Sequence, residues 1–234
     1  LSFESVLKRA PNDAESIFGI AQVEEFEGKP TALETARKAL AINAALSPAL
    51  AFVARMQLEA EQWDSAATSA QRALSVDSTS LSAWSVLGAT AWLRGDSMTY
   101  RTALAAATNI QPRPAEFFAE LADAAVRQRR YEEAVRIGEQ AVRYDSLSVR
   151  ALGVLGTNQL RTGRMAAGQA SLDRAFALDP FNIWHKNTLD LLDKLRTFKS
   201  IRQGRFEVVA PTEEADLLAL YIIPLLERAF DSLQ

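Results

Sequence analysis

Trp84-Ser85-Val86-Leu87-Gly88, followed seven residues later by Gly95, is one line of a pattern that recurs every 34 residues. With Leu81 as position 1, the same frame opens without insertion at Asp13, Ser47, Ala115 and Val149. Position 27 is then alanine in every copy: Ala39, Ala73, Ala107, Ala141 and Ala175. Position 28 reads Leu40, Leu74, Thr108, Val142 and Phe176, and position 7 reads Gly19, Val53, Leu87, Leu121 and Leu155. Position 20 holds Ala32, Ala66, Tyr100, Ala134 and Gly168. Five copies in one register make an internal repeat, and the repeat decides the architecture.

Small residues recur where two helices must approach closely, and larger apolar ones recur around them at helical spacing. In the second copy, Leu50, Val53, Ala54, Gln57 and Leu58 mark one face of a first helix. Ala66, Ala70, Ala73 and Leu74 mark the facing stripe of a second. One such hairpin cannot bury its apolar face alone, so neighbours must stack into a continuous solenoid. Pro112 and Pro180, at position 32, suit the turn after the second helix, because proline cannot continue it.

The period and these residues resemble the tetratricopeptide repeat family, whose unit is two antiparallel helices. Copies 3 and 5 carry the resemblance best, through Trp84, Leu87, Gly88, Gly95, Ala107 and Pro112, and through Leu155, Gly156, Gly163, Ala175 and Pro180. Copies 2 and 4 keep the alanines but have Glu61 and Arg129 at position 15. Copy 1 is degenerate, with Gly19 and Gly28 nine residues apart. The fold class this implies is all-α: a right-handed α-solenoid of tetratricopeptide hairpins, followed by a short strand–helix extension.

The organisation expected is therefore an end of a preceding repeat or cap over residues 1–12 and five repeats over 13–182. A capping helix over 183–198 follows, with Trp184, Leu189, Leu192, Leu195 and Phe198 as its apolar set. Residues 199–234 then read as a strand, Arg205-Phe206-Glu207-Val208-Val209, and a helix from about Glu214 to Leu233 with Thr212 as N-cap. A lone strand is not stable, so this stretch reads as the opening of a second domain. The run Asn187-Thr188-Leu189-Asp190-Leu191-Leu192-Asp193, the strand and the leucine-rich helix resemble a joint in certain bacterial proteins. There, tetratricopeptide repeats precede a peptidase MA-like (gluzincin) zinc metallopeptidase domain. The His-Glu-x-x-His of that family does not occur in this sequence.

Composition narrows the remaining classes. A net charge of −3 gives no general attraction to nucleic acid. No apolar run approaches the ~20 residues that span a bilayer. The chain has no cysteine and one histidine, His185, so a thiolate or multi-histidine zinc site cannot be assembled from it. His185, beside Trp184 at a helix start, reads as structural; Glu24, Glu25 and Glu27 read as a solvated face. Arg127, Arg129, Arg130 and Arg136 read as a solvated helix end. Trp63 and Tyr131 share position 17, and Trp84 and Phe118 share position 4, which marks them as packing residues. No phosphate-binding glycine loop or nucleophile–base set is present. Neither catalysis nor a cofactor is expected of these residues.

The resemblance implies a concave groove lined by first-helix positions 2, 5, 9, 12 and 13. On this chain the groove residues expected are Arg55, Leu58, Glu59, Trp92, Leu93, Asp123, Val126, Arg127, Leu160 and Arg161. The family's best-known groove clamps a C-terminal carboxylate with Lys and Asn at positions 5, 6 and 9. Here position 5 is Ile17, Ala51, Ser85, Ala119 and Gly153, and position 9 is Ala21, Arg55, Ala89, Asp123 and Thr157, so that clamp is missing. Three functional readings stay open. The first is a non-catalytic scaffold that binds a protein or peptide partner. The second is the repeat arm of a bacterial zinc metallopeptidase, presenting substrate or covering the active site; this resemblance implies the cell envelope or periplasm, and without it the location expected is the cytoplasm. The third is a self-association module.

Overall fold

In the computed structural model residues 3–233 are described, and the chain divides after Leu178 into two compact units. The first unit opens with α1 (Phe3–Leu7), on the stretch read as a preceding helix end; Leu1 and Ser2 lie outside the described residues. Five hairpins follow: α2 (Ala14–Phe26) with α3 (Ala32–Ile42), α4 (Ser47–Glu59) with α5 (Trp63–Val76), and α6 (Leu81–Arg94) with α7 (Ser97–Ile110). The last two are α8 (Ala115–Arg127) with α9 (Tyr131–Tyr144), and α10 (Val149–Arg161) with α11 (Met165–Leu178). Every first helix begins within one residue of position 1 of the sequence frame.

The turn inside each hairpin needs one residue with left-handed backbone angles. Gly95 and Gly163 supply it at φ 71° and 78°. Copies 2 and 4 make the same turn without glycine, through Glu61 (φ 57°) and Arg129 (φ 56°), and copy 1 makes it one residue later, at Gly28 (φ 71°). A side chain in this region costs about 1 kcal/mol or more. Glu61→Gly and Arg129→Gly are therefore each expected to raise stability by about 0.5–1 kcal/mol, read as a higher denaturation midpoint.

Packing follows the small-residue pattern. All five position-27 alanines are completely buried, as are Ala32, Ala66 and Ala134 at position 20. Glycines serve the closest approaches. A Cβ on Gly156 would stand 2.9 Å from the carbonyl oxygen of Gly168, and one on Gly168 would stand 2.8 Å from that of Gly156, so α10 and α11 touch backbone to backbone there. Gly88 leaves the notch that the ring of Phe117, from the next repeat, fills. Successive repeats are also stitched on the second helices. Arg72 donates to the Ala44 carbonyl at 3.1 Å, and Arg174 repeats the bond 102 positions later, to the Ser146 carbonyl at 2.9 Å.

The second unit contains α12 (Ile183–Leu195), the strands β1 (Phe198–Gln203) and β2 (Phe206–Pro211), and α13 (Thr212–Leu233). It differs from the sequence expectation in three ways. The helix expected to run to residue 198 ends at Leu195, and Phe198 opens a strand. The expected lone strand is one arm of an antiparallel hairpin, with Phe198 opposite Pro211 and Gln203 opposite Phe206. Thr212 does not cap α13; it is the first helical residue, and its hydroxyl donates to the Thr197 carbonyl at 3.0 Å. The hairpin turns at Gly204 (φ 60°), and its tip is tied to α13. The Arg205 guanidinium bonds Glu227 at 2.7 Å and Asp231 at 2.5 Å while lying 4.4 Å over the Phe230 ring. His185 is partly buried in α12, and burial holds its imidazole below the ordinary value, with Asp179 opposing.

Candidate functional site

In the first unit, first helices pack on first helices: α4 on α6, α6 on α8, α8 on α10. Contact between α4 and α8, two repeats apart, shows that this row lies on the inner side of a curved stack. The inner side holds a groove of about 370 Å³, floored by Phe18, Phe52 and Val86 and edged by Arg55, Glu120 and Arg150.

Its electrostatics are organised in two linked clusters. Arg55 bonds Glu59 at 2.7 Å, one helical turn ahead, and Glu25 at 3.3 Å from the preceding repeat. Burial works against the Arg55 charge, but Glu59, Glu25 and Glu120 outweigh it and hold the group above its ordinary value. Arg150 bonds Glu120 at 2.7 Å and Asp123 at 2.9 Å, both from the repeat before it. The two carboxylates likewise overcome the burial of Arg150 and keep it firmly charged. Arg127 reaches back across two repeats to donate to the Glu59 carbonyl at 3.1 Å, and its guanidinium stands 3.7 Å from the Glu59 carboxylate.

Asp123 behaves differently. Burial pushes its carboxyl up, and the nearby Glu120 charge adds to this; Arg150 and Arg127 oppose without prevailing. An acid whose folded value is raised binds its proton more tightly folded than unfolded. It therefore supports the fold at low pH and subtracts stability as pH rises from the ordinary carboxylate range through its folded value. Asp123→Asn is expected to remove that loss, so the margin of the variant over wild type should be larger at pH 7 than at pH 4 in denaturant titrations.

The residues expected in the groove fall into two sets. Arg55, Glu59, Asp123 and Arg127 are brought together in the charge network. Leu58 is not a groove residue: it is buried in the cluster with Ala66 and Ala70, because position 12 turns toward the second helix of its own hairpin. Leu160, also at position 12, presses against Gly168 of α11. Trp92 and Leu93 are half-buried on the same core cluster, and Arg130 covers the Trp92 ring at 4.2 Å. Val126 is half-buried at the end of α8. Arg161 bonds Asn158 at 3.2 Å and lies 5.5 Å from the Tyr131 ring centre, apart from the other arginines. Glu120 and Arg150 line the groove without having been expected in it, and Glu25, read as part of a solvated face, is drawn to its edge by Arg55. Three cross-repeat pairs are separated by 30 residues: Glu25–Arg55, Asp64–Arg94 and Glu120–Arg150. Scanning for opposite charges at one period less one helical turn would have found them.

Five stacked helix hairpins at a 34-residue period, with first helices lining the inner side, constitute the tetratricopeptide-repeat fold. No family profile and no curated protein matches the sequence. Among solved structures the chain is similar to TTC0263, a tetratricopeptide protein of Thermus thermophilus, at 18% identity and TM-score 0.56, covering 78% of this chain and 100% of that one. It is similar to a tetratricopeptide protein from Parabacteroides merdae at 15% identity and TM-score 0.57, covering 82% and 75%. It is also similar to yeast Tom70, at 15% identity and TM-score 0.55, over 78% of this chain and 40% of that one. At these identities the likeness is one of fold. Among the described residues no helix is long and apolar enough to cross a membrane, and no group of His, Asp and Glu is placed to hold a metal ion.

Proposed function

We propose that the first unit is a scaffold that holds a segment of a partner protein along the inner face of its first helices. The observation that carries this reading is the groove itself, an open channel over Phe52 and Val86 whose walls are charged side chains already fixed by neighbours. Fixed donors and acceptors over an apolar floor suit a backbone with alternating side chains, and little ordering is needed on the scaffold side. The test is selection of displayed random peptides on the immobilised chain, followed by rebinding to Arg55→Ala and Glu116→Ala, both of which line the groove. Selected peptides should bind both variants at least severalfold more weakly. Peptides that bind the variants as well as wild type would remove the groove from consideration.

A second reading is that the repeats form the arm of a zinc metallopeptidase. It is favoured by the order of a strand hairpin and a long helix in the second unit. Zinc content of the native polypeptide, measured with its mass, tests it: absence of stoichiometric zinc sinks this reading and leaves the scaffold untouched.

A further inference from the structure

α13 has two apolar sides. One, with Ala215, Ala219 and Ile223, is buried on the hairpin. The other carries Leu217, Leu220, Tyr221 and Leu225, which are 60%, 66%, 70% and 58% exposed, with Pro224 among them. These side chains offer on the order of 500 Å² of apolar surface, at the upper end of what a typical monomer shows in one patch.

The charges along the helix say what covers it. Asp216 is engaged by Lys199, and Glu227 and Asp231 are engaged by Arg205. Glu213 and Glu214 at the start of the helix and Arg228 near its end are exposed and have no ion pair among the described residues. Of the two acids, Glu213 lies on the helix face of Leu217, Leu220 and Arg228 by helical spacing. Glu213 and Arg228 stand fifteen residues apart, with Leu220 and Tyr221 midway between them. Two such helices laid antiparallel about a twofold axis at that midpoint place Glu213 beside the partner's Arg228, Leu217 beside the partner's Pro224, and Leu220 beside the partner's Tyr221. A parallel pairing would set Glu213 against its own copy and Arg228 against its own copy, which like-charge repulsion opposes.

We propose that the exposed face of α13 is covered by the same face of a second copy of this chain, in an antiparallel pair with Glu213 and Arg228 as its two end contacts. The area that two copies would bury, roughly 1,000 Å², lies at the lower limit for a specific interface, so the dimer should assemble in the micromolar range.

Sedimentation equilibrium of the full chain from one to several hundred micromolar tests this, with helical circular dichroism confirming that each variant is folded. Wild type should show a monomer–dimer equilibrium. Leu220→Arg, at a solvent-facing position that keeps the fold, should leave only monomer. Glu213→Arg and Arg228→Glu should each weaken dimerisation about tenfold, and the double exchange should restore it. Monomer at every concentration would overturn the pairing and assign the face to some other occupant. A dimer that survives Leu220→Arg would overturn the choice of face. Failure of the double exchange to restore the dimer would overturn the antiparallel register.

Discussion

Phe117→Ala is expected to lower the stability of the repeat unit by about 3–5 kcal/mol, the range for emptying a fully buried aromatic site. Phe117 is completely buried; its ring meets those of Tyr100 and Phe118 at centroid separations of 6.0 and 5.6 Å and fills the notch over Gly88. The ring thus joins the third repeat to the fourth. In a solenoid, stability is close to a sum of repeat terms and nearest-neighbour interface terms, so losing one interface should separate the unfolding of copies on its two sides. Denaturant unfolding followed by circular dichroism should show an earlier and broader transition. Gly88→Ala alone should cost about 1–3 kcal/mol by overpacking the notch. The combined variant should recover part of the loss, because the corresponding positions of two other neighbouring pairs of copies are alanine on both sides: Ala54 with Ala83, and Ala122 with Ala151.

Arg150→Ala is the second large loss, expected at about 3 kcal/mol. The reason lies less in the arginine, which reaches solvent, than in Glu120, which is only 3% exposed. Deleting the cation strands a buried carboxylate next to Asp123, and the lost ion pair is the smaller part of the cost. A double-mutant cycle checks this: Glu120→Leu with Arg150→Leu should recover most of the loss, with Asp123 left only Arg127 as a nearby cation, and should lie far from the sum of the single changes. Additive losses would show that the pair acts only through its separate contacts.

Where a structural feature repeats, the sequence discloses it. The helix starts, the alanine contacts and the turn positions follow directly from a 34-residue frame. Even Glu61 and Arg129, which lack the small side chain the turn prefers, adopt its backbone because the helices on either side impose it. Features outside the frame are harder to read. β1 reads Phe-Lys-Ser-Ile-Arg-Gln, with too few apolar residues to announce a strand, and its pairing depends on a partner further along the chain. Gly204 between the two arms is the available sign, since a two-residue turn with left-handed glycine is a hairpin marker. On the inner face, Arg55 and Asp123 can be found by position within one repeat. Glu120 and Arg150 are found only by comparing neighbouring repeats, through the opposite charges 30 residues apart. Leu58 shows the converse error: it fits both the core stripe and the groove positions by counting, and only side-chain direction separates them.

The bond from Arg127 to the Glu59 carbonyl has a mechanical consequence. A stack held only by adjacent contacts behaves as a spring, each joint flexing on its own and the curvature changing freely to admit guests of different girth. A strut across two joints resists that freedom for the stretch it spans. Opening the stack between copies 2 and 4 costs this bond, about 1 kcal/mol, so the middle segment should yield less readily than the joints on either side. Bending to fit a guest would then fall first to the ends of the stack.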